Sequence, residues 1–367
     1  MTKISKSRID MEGSRLDGVG KVTISGTSGV IFSDASSIGT ANSLGMRNRI
    51  INGDMRVDQR NGGGAAVTIA GTSTFAVDRF PSQNATATGT ITGQQSTLGN
   101  SKSLKLTATS AVTDLTTNKY VGAVIQAIEA QNIYDLNGKT ITISFKVQTN
   151  WTGNLAVALR NSDTTRSYVV DAAVVSGTNT VTVTVLLEAA TVLTNDNGPG
   201  VYLNIGFNNE ATYQTATKGS WLAGNFLVST TATQWAKTTG NYINVTELQL
   251  EQGSVATPFE RRPIGLELSL CQRYYQFISY NMRFLSGPGG NDTMETTVVF
   301  LTAMRVAPTA GALYSDPVLQ ASAVSNNAVN GFIRLTTTGA SSYLVAGAAA
   351  TTDTYVVGYR SNLSAEL

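Results

Sequence analysis

Apolar and polar residues alternate along most of this chain. In Thr140-Ile141-Thr142-Ile143-Ser144-Phe145-Lys146-Val147 the apolar side chains take one face and the polar ones the other. A period of two marks a strand with one buried face. Runs of the same character recur at 48–57, 65–70, 74–80, 86–96, 102–109, 120–127, 139–148, 154–160, 166–175, 179–187, 201–207, 223–229 and 242–251. Turn formers separate them, among them Asn61-Gly62-Gly63-Gly64, Asn137-Gly138, Ser176-Gly177 and Asn197-Gly198-Pro199-Gly200. Many short strands at this spacing predict an antiparallel sandwich, and a jelly roll houses about ten of them around one core. The spacing also predicts one helical turn over 129–134.

The pattern changes after Asn241. Val245, Leu248 and Leu250 are apolar, and from Glu247 to Glu251 the alternation is strict, which assigns Glu247 and Glu251 to a solvated face. Pro258 and Pro263 then block helix around Phe259-Glu260-Arg261-Arg262. From Ile264 the period turns helical. Leu266, Leu270, Tyr274 and Phe277 form one stripe, and Ile264, Leu268, Cys271 and Tyr275 form another. A helix apolar over more than half its circumference buries itself against more than one neighbour. Three copies about an axis, or two β units of one chain, would both satisfy it. Strand runs at 280–286, 293–304, 328–337, 342–348 and 354–360 follow, with Gly287-Pro288-Gly289-Gly290 as a loop. At the other end, Lys21–Ser25 and Gly29–Phe32 are strand-like runs, and a polar linker spans Ser33–Ser43. That region has too few large apolar residues for a core of its own. The expected class is all-β: an N-terminal arm 1–46, a large jelly-roll sandwich 47–262, a connecting helix 263–278 and a small β domain 279–367.

Composition narrows the chemistry. Only 14% of residues are charged and the net charge is +2, which argues against nucleic acid or an anionic membrane as the main partner. No run approaches the ~20 apolar residues of a membrane span, and Met1–Ser14 lacks the apolar core of a signal peptide. The chain has no histidine, which removes Ser-His-Asp triads and His-ligated metal sites. Its single cysteine, Cys271, suits an apolar filler on a helix face. Glu247 and Glu251 would lie ~13 Å apart along a strand, wider than the roughly 5–10 Å of a glycosidase pair. No catalytic residue is expected. Trp151, Trp221 and Trp235 all sit among polar neighbours. Each is expected either to stack on a sugar ring or to plug an end of the sandwich.

Two phrases carry a resemblance. One is Leu-Gln-Leu-Glu-Gln-Gly-Ser-Val-Ala-Thr-Pro-Phe-Glu (248–260), followed by Arg-Pro-Ile-Gly and by Leu-Cys-Gln-Arg-Tyr-Tyr (270–275). The other is Arg47-Asn48-Arg49-Ile50-Ile51-Asn52-Gly53-Asp54-Met55-Arg56-Val57-Asp58-Gln59-Arg60, with Val77-Asp78-Arg79-Phe80 after it. Both resemble phrases of tailed-bacteriophage virion proteins, chiefly tail-fibre and receptor-binding proteins, and the sandwich between them is similar to jelly-roll carbohydrate-binding modules. The resemblance implies a virion protein made in the host cytoplasm. It also implies a homotrimer, attached to tail or capsid proteins through residues 1–46, that binds a host cell-surface glycan. A head fibre or capsid-decoration protein carries the same phrases, and some phage fibres are polysaccharide depolymerases. In the carbohydrate-binding sandwiches a structural calcium sits near the start of the domain, and the matching positions here are Asp54 and Glu247. No other cofactor is implied.

Overall fold

The computed structural model describes residues 30–31, 37–38, 46–86, 88–188, 194–285, 293–310, 314–315, 329–335, 339–345 and 354–366. By contact the chain divides into Met1–Arg47 and Asn48–Leu367. In the first unit, Val30–Ile31 pairs antiparallel with Ser37–Ile38. The Lys21–Ser25 run and the 287–290 loop lie outside the described residues.

Two antiparallel sheets make the sandwich. The six-stranded sheet runs, in spatial order, Gly177–Leu186, Thr140–Thr149, Tyr242–Gln252, Ser101–Ser110, Thr90–Leu98 and Val67–Ile69. The five-stranded sheet runs Trp221–Ala223, Arg166–Val174, Gly153–Asn161, Pro199–Ile205 and Val124–Glu129. The chain crosses from one sheet to the other several times, as a jelly roll does, so both sheets share one core. Ile141, Ile143, Phe145 and Val147 are buried in it with Leu155, Val157, Leu159 and Leu203. Burying each such side chain stabilises the fold by roughly 1.5–3 kcal/mol. The turn expected at 129–134 is two 3-10 turns, Ala130–Asn132 and Tyr134–Leu136.

The central strand, Tyr242–Gln252, carries a bulge. Val245 and Leu248 are both buried in the core although they are three residues apart, which period two forbids. Glu247 and Leu248 together oppose Phe145, and Glu247 has a φ of 51°. Before the bulge the strand pairs with Ser101–Ser110. Past it, the Leu248 N–H donates to the Gly53 carbonyl, and the Arg49 N–H donates to the Leu250 carbonyl, both at 2.8 Å. Residues 48–57, expected as a strand, are therefore irregular. Asn52 and Met55 take left-handed φ values of 62° and 56°, and side chains satisfy much of the backbone.

The helix is Ile264–Gln272, shorter than the expected 263–278. Tyr275–Leu285 is a strand, paired along its whole length with Thr354–Ser364. Aromatic and β-branched residues suit either state here, and a partner strand about 70–90 residues away decides it. Thr309–Ala310 and Tyr314–Ser315 also pair with Thr354–Ser364. Thr293–Val299, Gly339–Val345 and Val329–Leu335 form a separate three-stranded sheet. Among the described residues no helix is long and apolar enough to cross a membrane.

Candidate functional site

The two sequence phrases, some 200 residues apart, meet in space. Asn48 Nδ2 donates to the Leu248 carbonyl, and its Oδ1 accepts the N–H groups of Ile50 and Leu250, all at 3.0–3.1 Å. Asn52 Nδ2 donates to the carbonyls of Val57 and Asp78 at 2.8 Å, while its Oδ1 accepts the Val57 N–H at 2.9 Å. Gly53 passes so close to Leu248 that an added Cβ would strike the carbonyl oxygen. The buried Glu267 accepts the Asn52 N–H and pairs with the buried Arg262, which also donates to the carbonyls of Asn48 and Ile50. Asp78 accepts from Gln59 and Arg60. Arg79 lies 3.4 Å over the Tyr274 ring and pairs with Glu366. The Tyr274 hydroxyl donates to Glu129, which also takes Arg273 at 2.7 and 3.0 Å. Burial pushes the Asp78 carboxyl above its ordinary value, against the pull of Arg60 and Gln59. The same cause pushes the buried Cys271 thiol well up. These residues form an ionic junction between the start of the sandwich, its last strand and the helix.

This arrangement corrects several expectations. Tyr274 is spent inside the chain on Arg79 and Glu129, so it cannot belong to an oligomer stripe. Leu270 packs partly on the buried Ile51, Val57 and Cys271, whereas Leu266 and Phe277 stay 41% and 46% exposed. The polar face of the last strand is not solvated either. Gln249 and Glu251 are buried because the chain folds back over them. Thr257 donates twice to Glu251, and the Glu260 N–H donates to Gln249.

Asp54 and Glu247 do come together, but around a guanidinium. Arg261 pairs with both, Arg56 adds a second cation to Asp54, and Lys146 lies 2.9 Å from Glu247. Calcium takes six to eight oxygens, and here both carboxylates already face cations. Among the described residues no group of three or more Asp, Glu, Cys or His could hold a metal. The donor set does not fit calcium. Partial burial pushes the Glu247 carboxyl up, but Lys146, Ser101 and Arg261 outweigh it and leave it below its ordinary value. A cavity of about 410 Å³ opens here, lined by Leu98, Ser101, Lys146, Thr178, Glu247 and Arg261 among others. It contains no aromatic side chain, and its charges satisfy one another.

The tryptophans act as plugs. Trp151 and Trp235 are 8% and 1% exposed and present no free ring face to a sugar. Their indole N–H groups donate to the carbonyls of Tyr242 and Gly206. Trp221 is partly buried against the core, its N–H on the Leu186 carbonyl, tying the edge strand of one sheet to that of the other.

A second opening lies on the outer face of the five-stranded sheet. Leu159 and Leu203 point into the core, so their neighbours Arg160 and Tyr202 point outward. These two are direct cross-strand partners. Together with Ile125 and Ala127 they line a groove of about 150 Å³, whose rim includes Phe75, Pro81, Gln83, Arg79 and Glu366. Beside it, Tyr120, Phe207 and Tyr213 form an aromatic cluster, Tyr120 stacking on Phe207 at 5.2 Å. The Arg160 guanidinium stands 5.2 Å from the Tyr202 ring centre. Its Nη1 donates to Asn225 Oδ1 at 3.0 Å and its Nη2 to Asn204 Oδ1 at 3.4 Å. Burial lowers the Arg160 pKa. Flat rings and convergent amide and guanidinium donors are what a small-molecule groove needs. Sequence reasoning missed this site. Strand parity gives the outward direction of Arg160 and Tyr202, but only the pairing of the two strands brings them together.

No family model matches the chain, and no curated protein matches it by sequence. Similar solved structures include one described as "CBM4 structure and function", at 16% identity over 55% of this chain and 98% of that one, with a TM-score of 0.27. The family 11 carbohydrate-binding module of the cellulase Lic26A-Cel5E of Clostridium thermocellum is 10% identical over 53% and 100%, with a TM-score of 0.29. The tripod from the baseplate of bacteriophage Tuc2009 is 13% identical over 58% and 57%, with a TM-score of 0.25. At such scores the functional reading has to rest on the site itself.

Proposed function

We propose that this protein is a non-catalytic virion component of a tailed bacteriophage that recognises its host by holding a cell-surface glycan in the groove of Tyr202 and Arg160. The observation that carries glycan binding is that groove: a cleft on one sheet face where an aromatic ring and a guanidinium stand side by side as cross-strand partners. The virion setting is supported by the two sequence phrases and by their folding into one junction. Residues 1–46 are the proposed attachment to tail or capsid proteins. A homotrimer is the proposed assembly, and the exposed Ile264, Leu266 and Phe277 offer apolar surface for it. The same apolar surface favours a second reading, a head fibre or decoration protein seated on a capsid. A glycan array probed with the full chain and with Tyr202→Ala tests the first reading. Selective binding that the substitution abolishes is expected. Absence of glycan binding alongside affinity for capsids would transfer the weight to the second. Light scattering tests the trimer, which a monomeric mass would overturn.

A further inference from the structure

Arginines at the junction and in the groove are treated differently by the fold. Arg60, Arg79, Arg262 and Arg273 each pair with a carboxylate. Among the described residues no carboxylate pairs with Arg160. Two neutral amide oxygens, from Asn204 and Asn225, hold it in place without cancelling its charge. Its Nε–H is buried with no acceptor. A guanidinium has five N–H donors, so the second hydrogens of Nη1 and Nη2 remain for a ligand. The other charged groups on the groove are Arg79 and Glu366, which pair with each other, and Glu366 also takes Arg60. One uncompensated positive charge therefore stands beside an aromatic ring.

We infer that the groove takes an anionic sugar, whose carboxylate or phosphate is received by Arg160 while its ring lies along Tyr202. This rests on the glycan-binding reading and names the class of glycan. A planar fork matches either oxyanion bidentately, and charge-assisted bonds are roughly twice as strong as neutral ones. Burial already strains the charged form of Arg160, so an anion would supply the counter-charge that the chain withholds. The cavity is smaller than the roughly 300–1,000 Å³ of drug-sized sites. That size suits a single sugar residue held at the end or side of a longer glycan.

The test is calorimetric titration of the full chain with four probes: tri-galacturonic acid, its fully methyl-esterified counterpart, N-acetylneuraminyl-lactose and glucose 1-phosphate, backed by an array of acidic and neutral glycans. An acidic probe is expected to bind at least tenfold tighter than its neutral counterpart, and the preference should weaken as salt rises. Arg160→Gln should lower affinity for the acidic probe at least tenfold, toward that of its neutral counterpart. Arg160→Lys should restore part of it, through charge without the fork. Whether carboxylate or phosphate probes respond identifies the oxyanion. Thermal unfolding of each variant confirms that the sandwich is intact. Equal affinity for acidic and neutral glycans, unchanged by Arg160→Gln, would overturn the inference and leave the glycan-binding reading standing. No binding to any glycan would overturn both.

Discussion

The junction and the groove are built from the same residue types and solve opposite problems. At the junction, Arg262, Glu267, Asn48 and Asn52 are almost wholly buried, and each charge meets a partner. In the groove, Arg160 and Tyr202 are half-buried, and among the described residues the positive charge is held by amides and no carboxylate pairs with it. A buried ion that loses its partner costs several kcal/mol. A partly buried ion held by amides keeps some of its desolvation cost and stays open to a ligand that would supply the counter-charge. The contrast separates what carries the resemblance from what carries the proposed function. The phrases that resemble phage virion proteins describe the junction, and the proposed recognition site lies on strands that carry no such phrase.

The largest effect should come from breaking the junction. Arg262→Ala leaves Glu267 without its counter-cation and two carbonyls without their donor in the interior, and should cost about 3–5 kcal/mol in urea unfolding. A change below about 1 kcal/mol would mean that the junction does not hold the sandwich closed. Next is Gly53→Ala, which drives a methyl group into the Leu248 carbonyl and should cost about 1–3 kcal/mol by displacing the last strand. If the groove differs from the junction as described, Arg160→Gln and Tyr202→Ala should shift stability by no more than about 1 kcal/mol. Their effect should appear in glycan binding. A loss of stability matching that of Arg262→Ala would erase the distinction between the two regions. The smallest expected effect is on pH dependence. Because the folded protein holds the Glu247 carboxyl below its ordinary value, its contribution is present above the unfolded pKa and is lost as pH falls through the folded one. Asp78, raised by burial, has the opposite sign and costs stability as pH rises through the ordinary carboxylate range. Glu247→Gln should therefore flatten the acid side of a melting-temperature profile, and an unaltered profile would show that its ion pairs contribute nothing.

Much of the sandwich was legible in the sequence, because one-sided burial writes itself as period two. Thr140–Thr149 and Gly177–Leu186 fall within two residues of their expected places. The bulge was also written there, in the spacing of Val245 and Leu248, though its effect on Glu247 was not. What failed depended on partners remote in sequence. The stripe through Tyr274 and Phe277 imitated a helix until Thr354–Ser364 claimed Tyr275 onward. Gln249 and Glu251 looked solvated until residues 253–260 folded over them. The tryptophans drew attention because polar residues flank them, yet the rings of Trp151 and Trp235 fill the sandwich and that of Trp221 closes its edge. Arg160 and Tyr202 are 42 residues apart and become a site only through strand pairing.

The bridges from Arg60 and Arg79 to Glu366 span 306 and 287 residues. At roughly 5–20 residues per second, a ribosome that has just released Arg60 needs about 15–60 s more to deliver its partner. During that interval the sheets have their hydrophobic faces and unfilled edges, while the clasp is still unmade. Nascent chains of this protein should be prone to capture by chaperones, or by one another, until Glu366 has emerged.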